Sequence, residues 1–335
     1  MQLFVRKHAG LFDFYANKSS FEYEKFKLNM PTIDSMTFMV KSFERDAQGN
    51  HPLVPVKSAI ANLNGDLLID KADNKSGLKK YTQYPIFNSK ADAFVYYDRK
   101  DILNGAYPKN KFFYTVKPFV LDSLNNFSTD ELSFKGTLTA GDLFPKIEEP
   151  IKVQKDYSLG FIKKVSDVGL PAYAGKGKFY DKISLSNNGL RGDGRLSAYA
   201  SESESNNYTF YPDSLTAPTR KFLITEQGQP VAYPSVRAEN AYQKWLPASD
   251  IMFVTNAKDK PFNIMNNKVL LNGLLKLSSK ALVGNGHLTF DQADMGPLVE
   301  RRSENGDAGY KTIYRPCFRD GLEIYVSRLA VVWKI

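Results

Sequence analysis

Three acidic or amide side chains at short spacing are the first residues in this chain that could do chemistry. Asp70, Asp73 and Asn74 lie in the segment DKADNKSG, and oxygen ligands gathered in a glycine-containing loop can hold Ca²⁺. The segment lacks the alternating ligand spacing and the terminal glutamate of an EF-hand, so a polar turn is the favoured interpretation. Asp291 and Asp294 repeat the spacing of Asp70 and Asp73, which also favours a recurrent turn over a metal site.

Glycoside hydrolysis would need a pair of carboxylates, and the chain has 36 acidic residues. Glu148 and Glu149 are adjacent in FPKIEEPIK, and adjacent residues of an extended chain point to opposite sides, so these two do not form such a pair. The aromatic clusters at residues 96–97 and 112–114 carry rings that could stack on sugars. Because side chains alternate along a strand, we expect core packing to take at least half of each cluster.

Nucleophilic and metal-assisted catalysis lack their usual sequence signals. His8, His51 and His287 are far apart, and no G-x-S-x-G, H-E-x-x-H, Walker or C-x-x-C motif is present. The single cysteine, Cys317, excludes an internal disulfide and a zinc site built on several thiolates. The sequence therefore predicts a protein that is not an enzyme, with no catalytic residue, no cofactor and no bound metal.

The tripeptide Arg191-Gly192-Asp193 is one that many extracellular proteins use to bind integrins. A second copy of its surroundings argues against that role: LSNNGLRGDGRL, residues 185–196, aligns with LSSKALVGNGHL, residues 277–288, at an offset of 92 residues. Val283 and Asn285 replace the arginine and the aspartate, so the adhesion tripeptide itself does not repeat. What repeats is a frame of leucines and glycines, which we interpret as structural.

The repeated frame consists of two glycines and a leucine in each copy: Gly192, Gly194 and Leu196 in the first, and Gly284, Gly286 and Leu288 in the second. Glycines two residues apart point to the same face of a strand, where the missing side chains let a neighbouring strand or layer approach closely. The leucines then continue that face into the core. His287 takes a variable position of the frame, so we expect its side chain to face outward.

Weaker echoes and the strand pattern predict an all-β fold. GDLLIDKAD, residues 65–73, parallels GHLTFDQAD, residues 286–294, and short runs such as AFVYYD and KFFYTVKPFVL alternate with turn clusters such as DAQGNHP and DSLNNFSTD. Unequal spacing between the echoes argues against a solenoid with fixed rungs. We expect an extended, repetitive multi-stranded sheet, either curved or arranged as an irregular β-solenoid or sandwich, with at most one or two short helices.

One segment has a helical pattern. In SVRAENAYQKWLP, residues 235–247, Ser235 is a suitable helix cap, Glu239 lies in the first turns and Pro247 ends the element. Tyr242 and Trp245 are three residues apart and would share the packing face of such a helix.

The chain divides into three regions in this interpretation. Residues 1–145 form a first strand-rich region, and the segment FPKIEEPIKVQKDYSLGF marks the seam to a second, residues 146–295, which holds both glycine frames. After Met295 the composition changes, and residues 296–335 form an atypical tail that contains the only cysteine. We expect that tail to be a separate cap or the product of a reading-frame change.

Charge and hydropathy limit the partners. The formal charge of +9 comes from lysines and arginines scattered among acids, which favours a solvated surface over a nucleic-acid footprint. No run of eighteen apolar residues occurs, so we predict no transmembrane segment. No signal peptide precedes the first strand pattern, and we expect the chain to contact neighbouring segments of a longer protein. Its location is the cell envelope or periplasm if that protein is exported, and the cytoplasm if the chain is complete.

Several segments taken together resemble known β-rich proteins. FEYEKFKLNMPTIDSMTF, DLLIDKADNKSGLKKYTQYPIFNSKADAFVYYD, DYSLGF, GLPAYAGKGKFYDKISLSNNGLRGDGRL and FYPDS are similar to a segment of very large, uncharacterised β-repeat proteins of gut and oral bacteria, over residues 1–295. Through strands of the form GLxGxGxL the chain also resembles, more distantly, AsmA/TamB-like envelope proteins. That resemblance implies a long curved sheet with an apolar trough associated with lipid passage, and no catalytic residues.

The resemblance leads to two hypotheses about function. The first is a non-enzymatic structural or scaffold segment of a bacterial envelope protein that offers a surface to lipid or glycan. Leu190, Leu196, Leu282 and Leu288 would line its trough, whereas the same residues would form an ordinary core in a sandwich. The alternative is a carbohydrate-binding or carbohydrate-active β-sandwich or β-helix protein, which the aromatic residues and the many acids favour.

Overall fold

Short runs of alternating apolar and polar residues give this chain antiparallel strands in almost every element. The computed structural model describes residues 5–290 and the backbone of three further strands, Ala293–Met295, Glu323–Ser327 and Ala330–Lys334. Two large antiparallel sheets confirm the predicted all-β fold. Helical structure in this described part amounts to two single 3₁₀ turns, Leu103–Gly105 and Pro247–Ser249. No helix in the same residues is long and apolar enough to cross a membrane.

The chain forms two compact units, and each contains two stretches of sequence. The first unit comprises Met1–Lys164 and Ile183–Arg191, and the second comprises Val165–Lys182 and Gly192–Ile335. Hydrogen bonds from its backbone amides to side-chain hydroxyls connect Ile183–Arg191 to the first unit. The amide of Asn187 donates to Ser158 Oγ over 2.9 Å, and the amide of Leu190 donates to the Tyr107 hydroxyl over 2.8 Å.

The first unit contains strands β1 Val5–Ala9, β2 Phe12–Glu22, β3 Lys27–Lys41, β4 Leu53–Pro55, β5 Ile60–Leu68, β6 Ile86–Ser89, β7 Ala93–Tyr96, β8 Phe112–Val116, β9 Val120–Leu121, β10 Ser133–Phe134, β11 Gly136–Ala140, β12 Ile147–Glu148, β13 Ile151–Val153 and β14 Leu159–Lys164. Most of them form one antiparallel sheet in the order β1-β2-β3-β5-β7-β8-β11-β12, with β4 on β3 and β6 between β5 and β9. Strands β10, β13 and β14 lie outside this sheet, and β13 pairs with both β10 and β14. The predicted run AFVYYD therefore forms β7, and KFFYTVKPFVL forms β8 and β9.

Aromatic side chains from alternate positions fill the core of the first unit. Phe12 and Phe14 of β2 and Phe38 of β3 are at most 2% exposed. The rings of Phe12 and Phe38 lie 5.1 Å apart, and Phe14 lies 4.6 Å from Phe87 of β6. Each fully buried phenylalanine contributes about 1.5–3 kcal/mol of transfer free energy, so this cluster carries much of the unit's stability.

The strands of the second unit continue the chain with longer hairpins. They are β15 Leu170–Ala172, β16 Gly177–Ser186, β17 Gly189–Ala198, β18 Ser201–Phe210, β19 Leu215–Ile224, β20 Val236–Leu246, β21 Ile251–Thr255, β22 Phe262–Ile264, β23 Val269–Leu277, β24 Leu282–Phe290, β25 Ala293–Met295, β26 Glu323–Ser327 and β27 Ala330–Lys334. The ends of β16 and β17 at the turn that connects them belong to the first unit. The central order is β18-β19-β20-β21-β23-β24, and β22 pairs with β20 and β23.

Among the side chains that the structure describes in the second unit, Trp245 of β20 is the largest that is fully buried. Tyr173 meets its ring edge to face at 5.2 Å, and its indole N–H donates to the Tyr199 hydroxyl over 3.2 Å. A Cβ atom on Gly177 would lie 2.8 Å from the indole, so glycine at the start of β16 leaves the space that the indole occupies.

The helix predicted for residues 235–247 is wrong, because this segment is strand β20 followed by a 3₁₀ turn. Asn240 takes a left-handed φ of 55° and shifts the strand's alternation by one residue. The buried positions therefore change from 236 and 238 to 241, 243 and 245, a spacing that imitates helical periodicity. Tyr242 is 52% exposed and Trp245 is fully buried, so the two rings lie on opposite faces.

The two hairpins that carry the glycine frames have matching bounds. Shifting β16 and β17 by 92 residues reproduces β23 and β24 to within one residue at each end. The predicted atypical tail, residues 296–335 with Cys317, and Asp291 lie outside the described residues, apart from the backbone of β26 and β27. For Asp294 the structure describes only the backbone within β25.

Candidate functional site

The first glycine of each frame lies against core side chains. A Cβ atom on Gly192 would come within 2.6 Å of Phe179 and 2.8 Å of Phe210, and one on Gly284 would lie 3.0 Å from Leu271. Both positions are therefore closed by the protein's own side chains.

The second glycine of each frame lies against the backbone of the neighbouring strand. Gly194 and Gly286 have φ values of 149° and 147°. A Cβ atom on Gly194 would clash with the carbonyl oxygen of Tyr180, and one on Gly286 would lie 2.8 Å from Gly273 Cα. Non-glycine residues rarely adopt this backbone conformation. These positions serve close strand contact and leave no room for a ligand.

The leucines proposed as a trough lining are core residues in the described structure. Leu190 and Leu196 are 0% and 1% exposed, and Leu282 and Leu288 are 3% and 1% exposed. Side chains of the same chain therefore cover the apolar face at these four positions.

The adhesion-like tripeptide lies within strand β17. Arg191 Nε donates to the carbonyl of Asn188 over 2.9 Å, and Asp193 forms a 2.7 Å ion pair with Lys182. Gly192 is buried under aromatic rings. A segment in extended conformation with its acid already paired does not present a receptor-binding loop tip.

The DKADNKSG segment is a polar turn around Asn74, which is 3% exposed. Asn74 Nδ2 donates to Asp70 Oδ2 and to the carbonyl of Lys79, both at 2.7 Å, and its Oδ1 accepts from the Lys79 amide at 2.9 Å. Asp73 points to solvent. The residues that the structure describes contain no cluster of three or more histidine, cysteine, aspartate or glutamate side chains that could hold a metal ion.

The aromatic clusters of β7 and β8 divide between the two faces of the sheet. Tyr97, Phe112 and Tyr114 are at most 1% exposed, and the Tyr97 hydroxyl donates to the carbonyl of Leu159 over 3.0 Å. Tyr96 lies on the other face, where Lys109 Nζ sits 4.3 Å from its ring centre. Core packing therefore takes the larger share of the rings, as expected.

The remaining predicted residues are dispersed. Glu149 forms a 2.9 Å ion pair with Lys163, while its neighbour Glu148 is exposed. His8 contacts Asp13 at 2.9 Å, and His287 faces outward as predicted. His51 differs from the other two histidines because it lines a concave surface.

That surface, which we call the Phe43 groove, is an open groove of about 440 Å³ in the first unit. It lies between the β3–β4 turn and the loop after β9. The residues that line it are Lys41, Ser42, Phe43, His51, Asn126, Phe127, Ser128, Thr129 and Asp130.

The β3–β4 turn places His51 in the Phe43 groove. Asp46 Oδ1 accepts from the amides of Gln48 and Asn50, which closes the turn. His51 Nδ1 then lies 2.7 Å from the carbonyl of Ser42. Because a carbonyl only accepts, Nδ1 carries the hydrogen and Nε2 is the acceptor of the neutral ring.

The loop after β9 forms the other wall. The buried Leu124 anchors it, and its carbonyl accepts from the amide of Leu11 over 2.8 Å. Phe127 packs 5.2 Å from Phe12 in the core. Across the groove, Lys41 Nζ donates to Asn126 Oδ1 over 3.1 Å, and Thr129 Oγ1 donates to the carbonyl of Lys41 over 3.1 Å.

Phe43 is the aromatic platform of the groove and is 39% exposed. Its ring stacks on Tyr157 with centroids 5.4 Å apart and planes inclined by 24°. The Tyr157 hydroxyl accepts from the Phe43 amide over 3.1 Å and lies 2.8 Å from Ser42 Oγ. Tyr157 thereby holds both the ring and the backbone of Phe43.

The groove combines an exposed ring with polar groups of several kinds. His51, Asn126 and Ser128 can exchange hydrogen bonds with hydroxyl groups, and Lys41 supplies a cation. Asp130 is the one carboxylate among the nine lining residues. The lining therefore has the groups needed to bind a hydroxyl-rich ligand but not a pair of carboxylates.

Sequence reasoning treated both walls of the Phe43 groove as turns that bound strands, in DAQGNHP and DSLNNFSTD. A signal present in the sequence is a phenylalanine in or beside each of these polar turns, Phe127 in the second and Phe43 before the first. The chain matches no protein-family model, no curated protein and no solved structure.

Proposed function

We propose that the first unit is a non-catalytic binding module that holds a saccharide in the Phe43 groove. The observation that carries this proposal is the exposed ring of Phe43, braced from behind by Tyr157. A ring fixed before binding loses little entropy when it stacks on a ligand, and this raises affinity.

The polar lining supports a sugar over a purely apolar ligand. A pyranose has one face of C–H groups, which suits an aromatic ring, and a rim of hydroxyls, which suits mixed donors and acceptors. In the Phe43 groove, His51 offers an acceptor at Nε2, Asp130 offers acceptors, and Ser128 can serve as either. Such short polar side chains fix orientation in a small-molecule site.

Binding without hydrolysis is the favoured role. Glycosidases place two carboxyl groups about 5 to 10 Å apart across the scissile bond, and only Asp130 is available in the lining. The wider setting, a scaffold segment of a bacterial envelope protein that contacts glycan, rests on the sequence resemblance and is part of the proposal.

A glycan array followed by calorimetry with the best ligand tests the proposal. We expect Phe43→Ala to weaken binding about tenfold, which is about 1.4 kcal/mol. Tyr242→Ala removes a more exposed ring in the second unit and serves as the matched control, with unchanged affinity. No binding across a broad panel of neutral and acidic polysaccharides would overturn the function, and equal affinity of wild type and Phe43→Ala would overturn the site.

A further inference from the structure

A second surface of the first unit carries exposed apolar side chains on two adjoining loops. We call it the Leu78 tip. It comprises Phe21 near the end of β2, Tyr23 in the β2–β3 turn, and Lys75, Leu78, Lys79 and Lys80 in the loop between β5 and β6. Leu78 is 89% exposed, Tyr23 61% and Phe21 48%, which is unusual for residues of this size.

The two loops of the Leu78 tip are fastened to each other. The amide of Ile69 donates to the carbonyl of Phe26 over 3.1 Å, and Lys75 Nζ lies 4.2 Å from the centre of the Tyr23 ring. Phe26 in turn meets the Phe21 ring edge to face at 5.9 Å. Lys75 and Leu78 belong to the same loop, and this loop therefore lies beside the β2–β3 turn that carries Tyr23.

Leu78 projects from a turn that is itself fixed. The buried Asn74 bonds the backbone of Lys79 in both directions, and the amide of Gly77 donates to the carbonyl of Asn74 over 2.9 Å. The turn holds its shape through these bonds without using Leu78, so nothing in the turn requires a leucine there. The turn therefore presents Leu78 to solvent in a fixed position, where a partner outside the unit can reach it.

Lysines flank the apolar residues of the Leu78 tip. Lys79 and Lys80 directly follow Leu78, are exposed, and have no acidic partner within the part of the chain that the structure describes. Lysines outnumber the nearby acids, because residues 69–80 contain four lysines and two aspartates, whereas residues 22–27 contain two lysines and two glutamates. The charge left open beside Leu78 is therefore positive.

We propose that the Leu78 tip rests on the surface of an anionic lipid bilayer. Leu78 and Phe21 would enter the boundary between headgroups and acyl chains, Tyr23 would lie at headgroup level, and Lys79 and Lys80 would contact lipid phosphates. The tip is convex, since Leu78 is nearly as exposed as a free side chain. A bilayer accepts a projecting apolar side chain, whereas a protein partner must supply a matching pocket.

Co-sedimentation with vesicles tests this proposal on the full chain. The probes are vesicles of phosphatidylcholine alone and of phosphatidylcholine with phosphatidylglycerol, at about 0.1 M and 0.5 M salt. We expect binding to the anionic vesicles that falls at high salt, because salt screens surface charge. Leu78→Ser should weaken it about tenfold, and Lys79→Gln with Lys80→Gln at least tenfold, from about fivefold for each lysine.

Matched controls distinguish vesicle binding by the Leu78 tip from nonspecific hydrophobic adsorption and from ligand binding in the Phe43 groove. Val168→Ser removes an apolar side chain that is 77% exposed in the second unit and should leave vesicle binding unchanged. Phe43→Ala should also leave it unchanged, so the lipid and saccharide proposals fail independently. No sedimentation with anionic vesicles, or equal sedimentation of wild type and Leu78→Ser, would overturn the proposal. Because Leu78 is exposed, its variant is expected to unfold at the wild-type temperature, which circular dichroism checks.

Discussion

The ring of Phe43 lies stacked on the ring of Tyr157, 5.4 Å between centroids, although 114 residues separate them along the chain. The Tyr157 hydroxyl also receives the amide hydrogen of Phe43, so a single distant side chain sets the position of the groove's aromatic platform. Residues that hold a binding group in place act on affinity without touching the ligand.

Tyr157→Phe should separate this bracing from simple packing. The variant keeps the stacked ring and removes the hydroxyl, so the Phe43 amide loses its acceptor and Ser42 Oγ loses one of its two contacts. We expect the free energy of unfolding to fall by about 1 kcal/mol, and saccharide affinity to fall several-fold. Urea unfolding and calorimetry measure the two effects. Tyr242→Phe, in an exposed ring, is the control, and unchanged values for Tyr157→Phe would contradict the bracing role.

Asp66 should make stability depend on pH in the acid range. Burial alone would raise its pKa, but hydrogen bonds from Lys90, Lys27 and Asn29 outweigh burial and hold the pKa at about 2. Because the pKa of Asp66 is lower in the folded state than its unfolded value of about 4, the ionised carboxylate stabilises the folded protein above about pH 4. This stabilisation is lost as the pH falls from about 4 to about 2.

Asp66→Asn tests this assignment. At pH 7 the variant should lose about 2 kcal/mol, because two lysines remain beside an uncharged group. Near pH 2 wild type and variant should unfold at similar urea concentrations. Asp34→Asn alters an exposed acid whose contact is with its neighbour Ser35 and serves as the control. A stability difference that stays constant from pH 7 to pH 2 would contradict the prediction.

Gly286→Ala should destabilise the second unit by well over 1 kcal/mol. Its φ of 147° strains any other residue, and the added Cβ would meet the backbone of β23, with Gly273 Cα at 2.8 Å. Thermal unfolding measures the loss. Gly228→Ala is the matched control, since its Cβ would have no atom within 4 Å and its φ is ordinary. Equal melting temperatures for the two variants would show that the close approach at Gly286 is not required.

Asn240 should tolerate glycine better than valine. Its φ of 55° is accessible to asparagine and glycine but costs a β-branched residue about 1–3 kcal/mol. We expect Asn240→Gly to unfold near the wild-type urea midpoint and Asn240→Val well below it. Thr216→Val, at a regular position of the neighbouring strand β19, controls for the general effect of valine in this sheet. A midpoint for Asn240→Val equal to that of wild type would mean that β20 does not require the left-handed conformation at residue 240.

Alternation along the chain was enough to predict the all-β fold class. Period-two alternation in runs such as AFVYYD and KFFYTVKPFVL depends only on the order of residues along one strand. It therefore predicts a strand whatever the order of the strands in the sheet. The same alternation predicted that the core would take at least half of each aromatic cluster, and Tyr97 and Phe112 are among the buried rings. The position of His287 in the glycine frame predicted that it would face outward, and its side chain is exposed.

Local pattern failed where one backbone angle changed the alternation. The left-handed Asn240 moved the buried positions of β20 by one residue, and the result read as a helix that paired Tyr242 with Trp245. The pattern of side-chain types does not specify the backbone angle φ at Asn240, because asparagine adopts both right-handed and left-handed conformations. Pairing with β19 and β21 makes this segment a strand and not a helix.

Both candidate surfaces were decided by tertiary structure. The Phe43 groove joins the β3–β4 turn to a loop some eighty residues later and is braced by Tyr157 from a third segment. The Leu78 tip joins turns that lie about fifty residues apart. Contacts between residues so far apart depend on the order of the strands in the sheet, and the local alternation of side chains does not specify that order. The sequence therefore predicted the turns but not which turns lie next to each other.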